Sequence, residues 1–581
     1  MKKRFNRVIS VILALAMLAV MPACSQDQGA KTSSPQDTAS KAAPVVQLDV
    51  FSASTASTTA AGIYDNTWWG KVLKEKVGVS LNILPTGDQA QEKLQALMAS
   101  GQLPDIVVFK TTKDVQNAIR GNMLINLDEH LDKLPNVTKN AATSLQYSRD
   151  NFSNSTGKAY AIANSVGPAD VGSEPSWGPY LRWDLYKKIG SPAINTFDDY
   201  LTVLKKMQDA QPKTADGKKT YGISLWKDWD NYSMFMAQEL SPTLGVDCGD
   251  QLAQLPFLQV DFKTGKTKNI LDADSDYMNS LKFYYKANQM GLVDPDSLTQ
   301  TYATAKSKIT QGRVFFSWWS WLNDAYNTPE RTNADVPTGF AAVLPKDTKT
   351  LIPGENNIGK TLTFAISSST KNLDACLKYV DFMYSTEGMQ LMFNGPEGIT
   401  WKMGSDGKPT MTDAGWKYVN DANAELPGGG KLGDGITMIG CYGLSTAFIN
   451  PKTKEALSYQ LWPSTMVHNT ANQTKLQKDW SSTTGAQTTI DYLKANKMTL
   501  TIPIAQSLVP AMTDDISASS ARIGDIIKSN SWKMVFAKND AEFQKYYDDM
   551  KTKAEGLGVK AVYDWSLKSW NEAQTKAKKY Q

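Results

Sequence analysis

Apolar and polar positions along the chain switch repeatedly between two periods. Val45 to Phe51 alternates with a period of two, as a half-buried strand does. Trp68 to Lys76 takes a helical spacing, and Gly78 to Leu84 returns to a strand. Gln89 to Ala99 sets Leu94, Leu97 and Met98 on one helical face, and Gly101 ends it. Leu103 to Phe109 reads as a buried strand and Thr112 to Gly121 as the next helix. This β-α-β-α-β order with continuous apolar strands predicts a parallel sheet covered by helices.

A second block opens near Tyr180 to Trp183. Phe197 to Gln208 predicts a helix, with Asn195 or Thr196 as its N-cap. Tyr221 to Leu225 reads as a strand, and Asp276 to Met290 as a helix closed by Gly291. Arg313 to Trp318 and Thr361 to Ile366 read as further strands, and Leu373 to Phe393 as one helix. Beyond Gly395 the chain is irregular and Gly-rich, notably from Pro427 to Gly430. Three helices, Ile516 to Ser529, Asp540 to Gly556 and Val562 to Lys579, close it, and no internal repeat is visible.

Length adds a bound. Single cores rarely exceed about 250–300 residues, so a chain this long needs two or more. Hydrophobic content of 41% and charged content of 21% are ordinary for a globular protein. The 62 basic and 58 acidic residues leave a net charge of +4 with no extended basic block, which argues against a nucleic-acid partner. The 16 Trp and 23 Tyr change the picture more. Such rings stack on flat apolar faces, and a Trp-rich secreted protein suits sugars. Cys248, Cys376 and Cys441 are far apart, odd in number and without a CxxC; they read as buried free thiols, with one disulfide and a leftover thiol as the alternative. His130 and His468 form no HExxH and no Cys/His cluster, which argues against zinc.

The N-terminus carries an address. Lys2, Lys3, Arg4 and Arg7 precede an apolar run from Val8 to Val20. That run is too short for a bilayer, which needs roughly 20 apolar residues, and reads as a secretory signal. Met21-Pro22-Ala23-Cys24 resembles a bacterial lipobox, in which the cysteine receives diacylglycerol. The resemblance implies a signal peptide over 1–23 and a lipid anchor at Cys24; ordinary secretion with a free Cys24 is the alternative. Ser25 to Pro44 has no aromatic residue and too little apolar surface to fold, so 24–44 is expected to be a disordered tether. The body from Val45 onward is expected at the outer face of the cell membrane, held by lipid and not embedded.

Several segments occur in a telling order: Ala99 to Ile106, Gly157 to Ile162, Leu181 to Gly190, and Asn372 to Trp401 with Asp381 to Ser385 and Gly395-Pro396-Glu397-Gly398. Together they resemble the extracellular solute-binding proteins of ABC transporters, in the large sugar-binding lipoprotein branch of Gram-positive bacteria. The resemblance runs from about Val45 to the C-terminus. It implies an α/β, two-lobed periplasmic-binding-protein-like fold of type II, with discontinuous lobes, hinge crossings and a helical C-terminus. The first lobe would be 45–165 with about 350–400, and the second 166–349 with much of 401–581. It also implies an oligosaccharide ligand, permease subunits as membrane partners, no catalytic residue, no cofactor and a monomer. A secreted glycoside hydrolase or lyase, and a sugar-sensing binding protein, are the alternatives. Some relatives carry a calcium loop; here Gln211 to Lys219 holds one carboxylate and three lysines, too few oxygen ligands, and no metal is expected.

A sugar cleft needs aromatic platforms and planar polar groups. Trp68 and Trp69 beside Asp65 and Asn66 are candidates, with helix packing as the alternative. Trp226 and Trp229 follow a strand together with Asp228 and Asp230. Of Trp318, Trp319 and Trp321, alternation sets Trp319 and Trp321 on one side, and one of these is expected to stack on ligand. Trp401 with Glu397 follows the Gly-Pro-Glu-Gly turn, and Trp177 and Arg182 lie at the first crossing, where Arg182 has a structural ion pair as its alternative. Trp532, Trp565 and Trp570 read as core. Pro427 to Leu432 lacks phosphate-loop spacing, no GxSxG elbow is present, and Asp272 to Asp276 reads as helix capping because Tyr277 stands where a calcium loop needs Gly.

Overall fold

A computed structural model describes residues 44–580 except 55–60, 85–88, 170–173, 176, 250–254, 361, 422 and 463–472. Cys24, the signal sequence and nearly all of the tether lie outside the described residues. In chain order the strands of the two main sheets are β1 (Val46–Ser52), β2 (Gly62–Ile63), β3 (Val79–Ile83), β4 (Ile106–Phe109), β5 (Ala161–Ala163), β6 (Trp177–Arg182), β7 (Phe316–Trp319), β8 (Phe340–Ala342) and β9 (Thr363–Ile366). Helices that position the site or close the chain are α1 (Trp68–Lys76), α2 (Tyr302–Thr310), α3 (Leu373–Met383), α4 (Thr386–Asn394), α5 (Asp514–Val535), α6 (Asp540–Gly556) and α7 (Val559–Ala577).

The first sheet has the order β2-β3-β1-β4-β9-β5. β3 and β4 lie parallel to β1, while β9 runs antiparallel between β4 and β5. Side chains of β4 point alternately to the two faces: Ile106 and Val108 enter one core, Val107 and Phe109 the other. A strand buried on both faces has to be apolar throughout, which is why this segment shows no alternation. The second sheet, β7-β6-β8, is antiparallel and belongs to a separate core. That core gathers residues from Tyr180 to Val343, Leu476, Trp480 and one face each of α5 and α6. The fold is therefore two-lobed α/β with a helical C-terminus. Cys248, Cys376 and Cys441 are buried free thiols.

Some expectations need correcting. Much of 401–581 is assigned above to the second lobe, but its first part packs on the first: Leu426, Met438, Ile439, Cys441, Leu444 and Leu457 share the core of β1 and β3. Ser52 Oγ donates to the carbonyl of Ile439 at 2.6 Å across the same contact. Among the described residues, the chain rejoins the second core at Leu476. Leu373 to Phe393 is two helices, α3 and α4, because Ser385 Oγ accepts from the Gly388 amide at 2.9 Å and starts a new helix. Tyr221 to Leu225 is not a ladder strand; it makes single bridges, Tyr221 to Val314 and Ile223 to Val293. The helix expected from Phe197 begins at Asp199, whose carboxylate accepts from the Asn195 and Thr196 amides at 2.8 and 2.9 Å, so the cap works in reverse.

Two chain passes, at 164–167 and 356–362, connect the lobes, and a first-lobe segment at 442–445 runs beside them. The Asn164 amide donates to Leu362 O and the Lys360 amide to Asn164 O, both at 2.8 Å. The Ser165 and Val166 amides donate to Tyr442 O and Gly443 O, also at 2.8 Å. A second tie is α7. Its first turns pack in the second core through Val559 and Val562, and its middle packs on Leu258 of the second lobe and Ile358 of a crossing. Just beyond its end, Tyr580 Oη donates to Asp150 Oδ2 at 2.7 Å in the first lobe and lies 5.5 Å from the Tyr147 ring.

Gly359 sits in the crossing with φ +82°, and a Cβ there would lie 2.6 Å from Ala163 Cβ. Gly265 has a similar φ of +72° with nothing within 4 Å. Gly359→Ala is expected to destabilise by about 2 kcal/mol more than Gly265→Ala, because only the former adds a clash to the left-handed strain. Urea unfolding of the two variants measures the difference, and equal losses would show that the crossing yields freely.

Candidate functional site

Six aromatic rings of the second lobe meet at the carboxyl end of β7. The Trp229 centroid lies 4.6 Å from Tyr302, 5.1 Å from Trp226, 5.5 Å from Phe235, 5.7 Å from Trp319 and 6.1 Å from Trp321. Trp319 stacks on Phe235 at 6.2 Å and stands 5.6 Å from Trp321. Trp226 and Trp319 are buried and form the base. Trp229, Phe235 and Tyr302 are half-buried, and Trp321 is 43% exposed. Trp177 pairs with Trp319 across β6 and β7 and extends the wall. Open α/β sheets expose ligand sites beyond their strand ends, where this wall lies.

Carboxylates hold the wall together. Asp228 accepts from the Tyr302 amide at 3.0 and 3.1 Å, which ties the Trp226–Trp229 turn to the start of α2. Asp230 Oδ1 accepts from the Phe235 amide at 2.9 Å, and its Oδ2 accepts from Trp532 Nε1 at 2.7 Å. Burial pushes Asp230 up to about 6 against these hydrogen bonds. Pro175 O accepts from Ser320 Oγ at 3.0 Å and Tyr180 Oη at 3.1 Å, which brings Glu174 to the rim beside Trp319 and Trp321. Tyr180 Oη also lies 3.4 Å from Glu174 Oε2, and Thr489 donates to the same carboxylate. Burial pushes Glu174 up to about 7, although the residue as a whole is exposed. Protein crowds the carboxylate on several sides while water still reaches the residue.

Other candidates stand apart. Trp68 and Trp69 are in the first core; the Trp68 indole donates to Lys431 O at 2.8 Å, and Trp69 stacks on Phe382 at 6.1 Å. The Trp68 amide donates to Gly429 O, so the Gly-rich loop covers the start of α1. Arg182 is buried against Asp184 at 2.8 and 2.9 Å with Tyr326 4.2 Å away, the ion-pair alternative. Trp401 is buried, donating to Gly395 O at 2.9 Å, and Glu397 is exposed on the first lobe near Lys76. Trp318 points inward to Tyr284 Oη at 2.8 Å, and Trp532 and Trp570 are core residues. Sequence reasoning missed Phe235, Tyr302 and Glu174. The Asp228–Tyr302 link spans 74 residues, and no local pattern announces it.

The chain matches the bacterial extracellular solute-binding protein family over residues 55–390, and it belongs to that family. Lipoprotein LipO of Bacillus subtilis (strain 168) is 22% identical over 347 residues; the match covers 57% of this chain and 64% of the relative's length. An HMO-binding, ABC-transporter-associated solute-binding protein of Bifidobacterium longum infantis shares the fold with TM-score 0.60 and 17% identity, over 91% of this chain and 98% of that one. The substrate-binding protein FusA of S. pneumoniae, solved with kestose, gives TM-score 0.59 and 17% identity over 91% and 100%. Among the described residues, no helix is long and apolar enough to cross a membrane.

Asp230 makes stability depend on pH. Its folded value of about 6 lies above its ordinary 3.8, so the folded state keeps a proton that the unfolded state releases. Stability from this group is therefore full below about pH 4, falls as pH rises to about 6, and is flat above that. The loss is at most about 3 kcal/mol, two pH units at 1.36 kcal/mol each. Unfolding free energies should fall between pH 4 and 7 in the wild type, and Asp230→Asn should lessen that fall by up to about 3 kcal/mol, leaving the part due to the raised Glu174.

Proposed function

We propose that this protein is the substrate-binding lipoprotein of an ABC importer, capturing an oligosaccharide between its lobes and delivering it to the permease. The six-ring wall carries the reading. Flat, partly exposed rings match the apolar C–H faces of sugar units, while Asp228, Asp230 and Glu174 supply acceptors nearby. Trp177, Trp229, Phe235, Tyr302 and Trp321 would touch ligand, with Trp226 and Trp319 behind them. Family membership and the transporter-associated neighbours support the same role. A ligand that bridges both lobes favours the closed form, because only that form makes both sets of contacts, and the permease would recognise it. No step of this cycle needs a catalytic group or a cofactor. Cys24 would carry the lipid, a reading that the lipoprotein relative supports.

Trp321→Ala and Trp229→Ala are each expected to weaken oligosaccharide binding about tenfold, or about 1.4 kcal/mol per ring. Trp69→Ala should instead lower thermal stability and leave the affinity of the folded fraction unchanged. Calorimetric titration with each variant checks this, and chromatography of the recovered sugar checks its integrity. Cleaved sugar would overturn the binding-protein reading in favour of an enzyme. Cys24→Ala should move the protein from the membrane fraction to the medium.

A further inference from the structure

We propose that Glu174 sets the charge sign of the ligand, so that the cleft accepts neutral or amine-bearing oligosaccharides and rejects carboxylated or sulfated ones. This rests on the oligosaccharide reading above. Glu174 stands at the rim of the aromatic wall, joined to it through Pro175 and Ser320. Above about pH 7, where the raised Glu174 is mostly ionised, its carboxylate offers about four acceptor sites and no donor. Thr489 uses two, through its amide and hydroxyl, and Tyr180 one, which leaves capacity for a ligand hydroxyl or ammonium. A second carboxylate brought to this place would meet a like charge in a partly desolvated site. Asp324, exposed three residues beyond Trp321, adds to the same sign, and burial also pushes its pKa up.

Several cations of the second lobe are engaged elsewhere. Arg182 pairs with Asp184, and Arg331 lies 4.0 Å over Tyr326. Arg313 donates to Lys219 O at 3.2 Å, Lys227 sits 5.1 Å over Trp532, and Lys308 is held between Asp294 and Asp296 at 2.6 and 2.7 Å. The internal segments outside the description contain no Lys or Arg. Lys306, one turn beyond Tyr302 on α2, is exposed and is the cation to control for.

The test is a titration panel on the full chain: maltotetraose, cellotetraose, mannotetraose, nystose and a glucosamine tetramer against tetragalacturonate and tetramannuronate. The wild type should bind at least one neutral or amine probe at least tenfold more tightly than either acid. Glu174→Gln keeps the side-chain shape and removes the charge; it should narrow that ratio at least fivefold, and Lys306→Ala should not. Wild-type preference for a uronate overturns the proposal even if the variant fails to fold. An unchanged ratio in folded Glu174→Gln also overturns it. Binding of neither class overturns the oligosaccharide reading itself, and this inference with it.

Discussion

Everything in this molecule hangs on a hydrogen-bonded trio of segments, the crossings at 164–167 and 356–362 and the first-lobe segment at 442–445 beside them. Backbone groups running between two cores cannot be left unpaired, and here they satisfy one another edge to edge. The arrangement dictates the rest of the layout. β5 and β9 must neighbour each other at the sheet edge because both lead into crossings. The chain that leaves Gly167 reaches Trp177 within ten residues, so the second sheet begins next to the junction. The aromatic wall, in which Trp177 pairs with Trp319, therefore starts a few residues beyond the junction.

The wall shows how a protein keeps large rings in partly exposed positions. Tryptophan packs readily, and unrestrained rings on loops would collapse on each other or bury themselves. Two aspartates prevent this by fixing the backbone on either side, one at the start of α2 and one at Phe235. Placing carboxylates among aromatic rings costs solvation energy, which the raised proton affinity of Asp230 records. Local rules are usually broken at working sites, and this is where the chain breaks them.

What the sequence revealed follows from which forces are local. α1 and α6 have the boundaries their spacing predicts, because propensity, amphipathicity and terminators agree there. β1, β3 and β4 were legible for the same reason. The allocation of 426–457 was not: an apolar segment does not state which of two cores will receive it. The break between α3 and α4 turns on one serine hydroxyl. Tryptophan content picked out Trp226, Trp229, Trp319 and Trp321, which the fold gathers, but could not separate them from Trp69, since Trp69 and Trp229 differ only in what the tertiary fold brings near them. Tyr302 lies 4.6 Å from Trp229 although 73 positions separate them in the chain.

The clasp of Tyr580 on Asp150 joins positions 430 residues apart in the chain. A chain made from its N-terminus cannot fasten it until Tyr580 has emerged. The first core can condense once Leu457 is made, but the second also draws on α5, α6 and the start of α7, so it and the bracing between the lobes come late. A foreign segment spliced in just after Tyr580 would be grafted onto that fastening, whereas one placed before Val45 would leave it untouched.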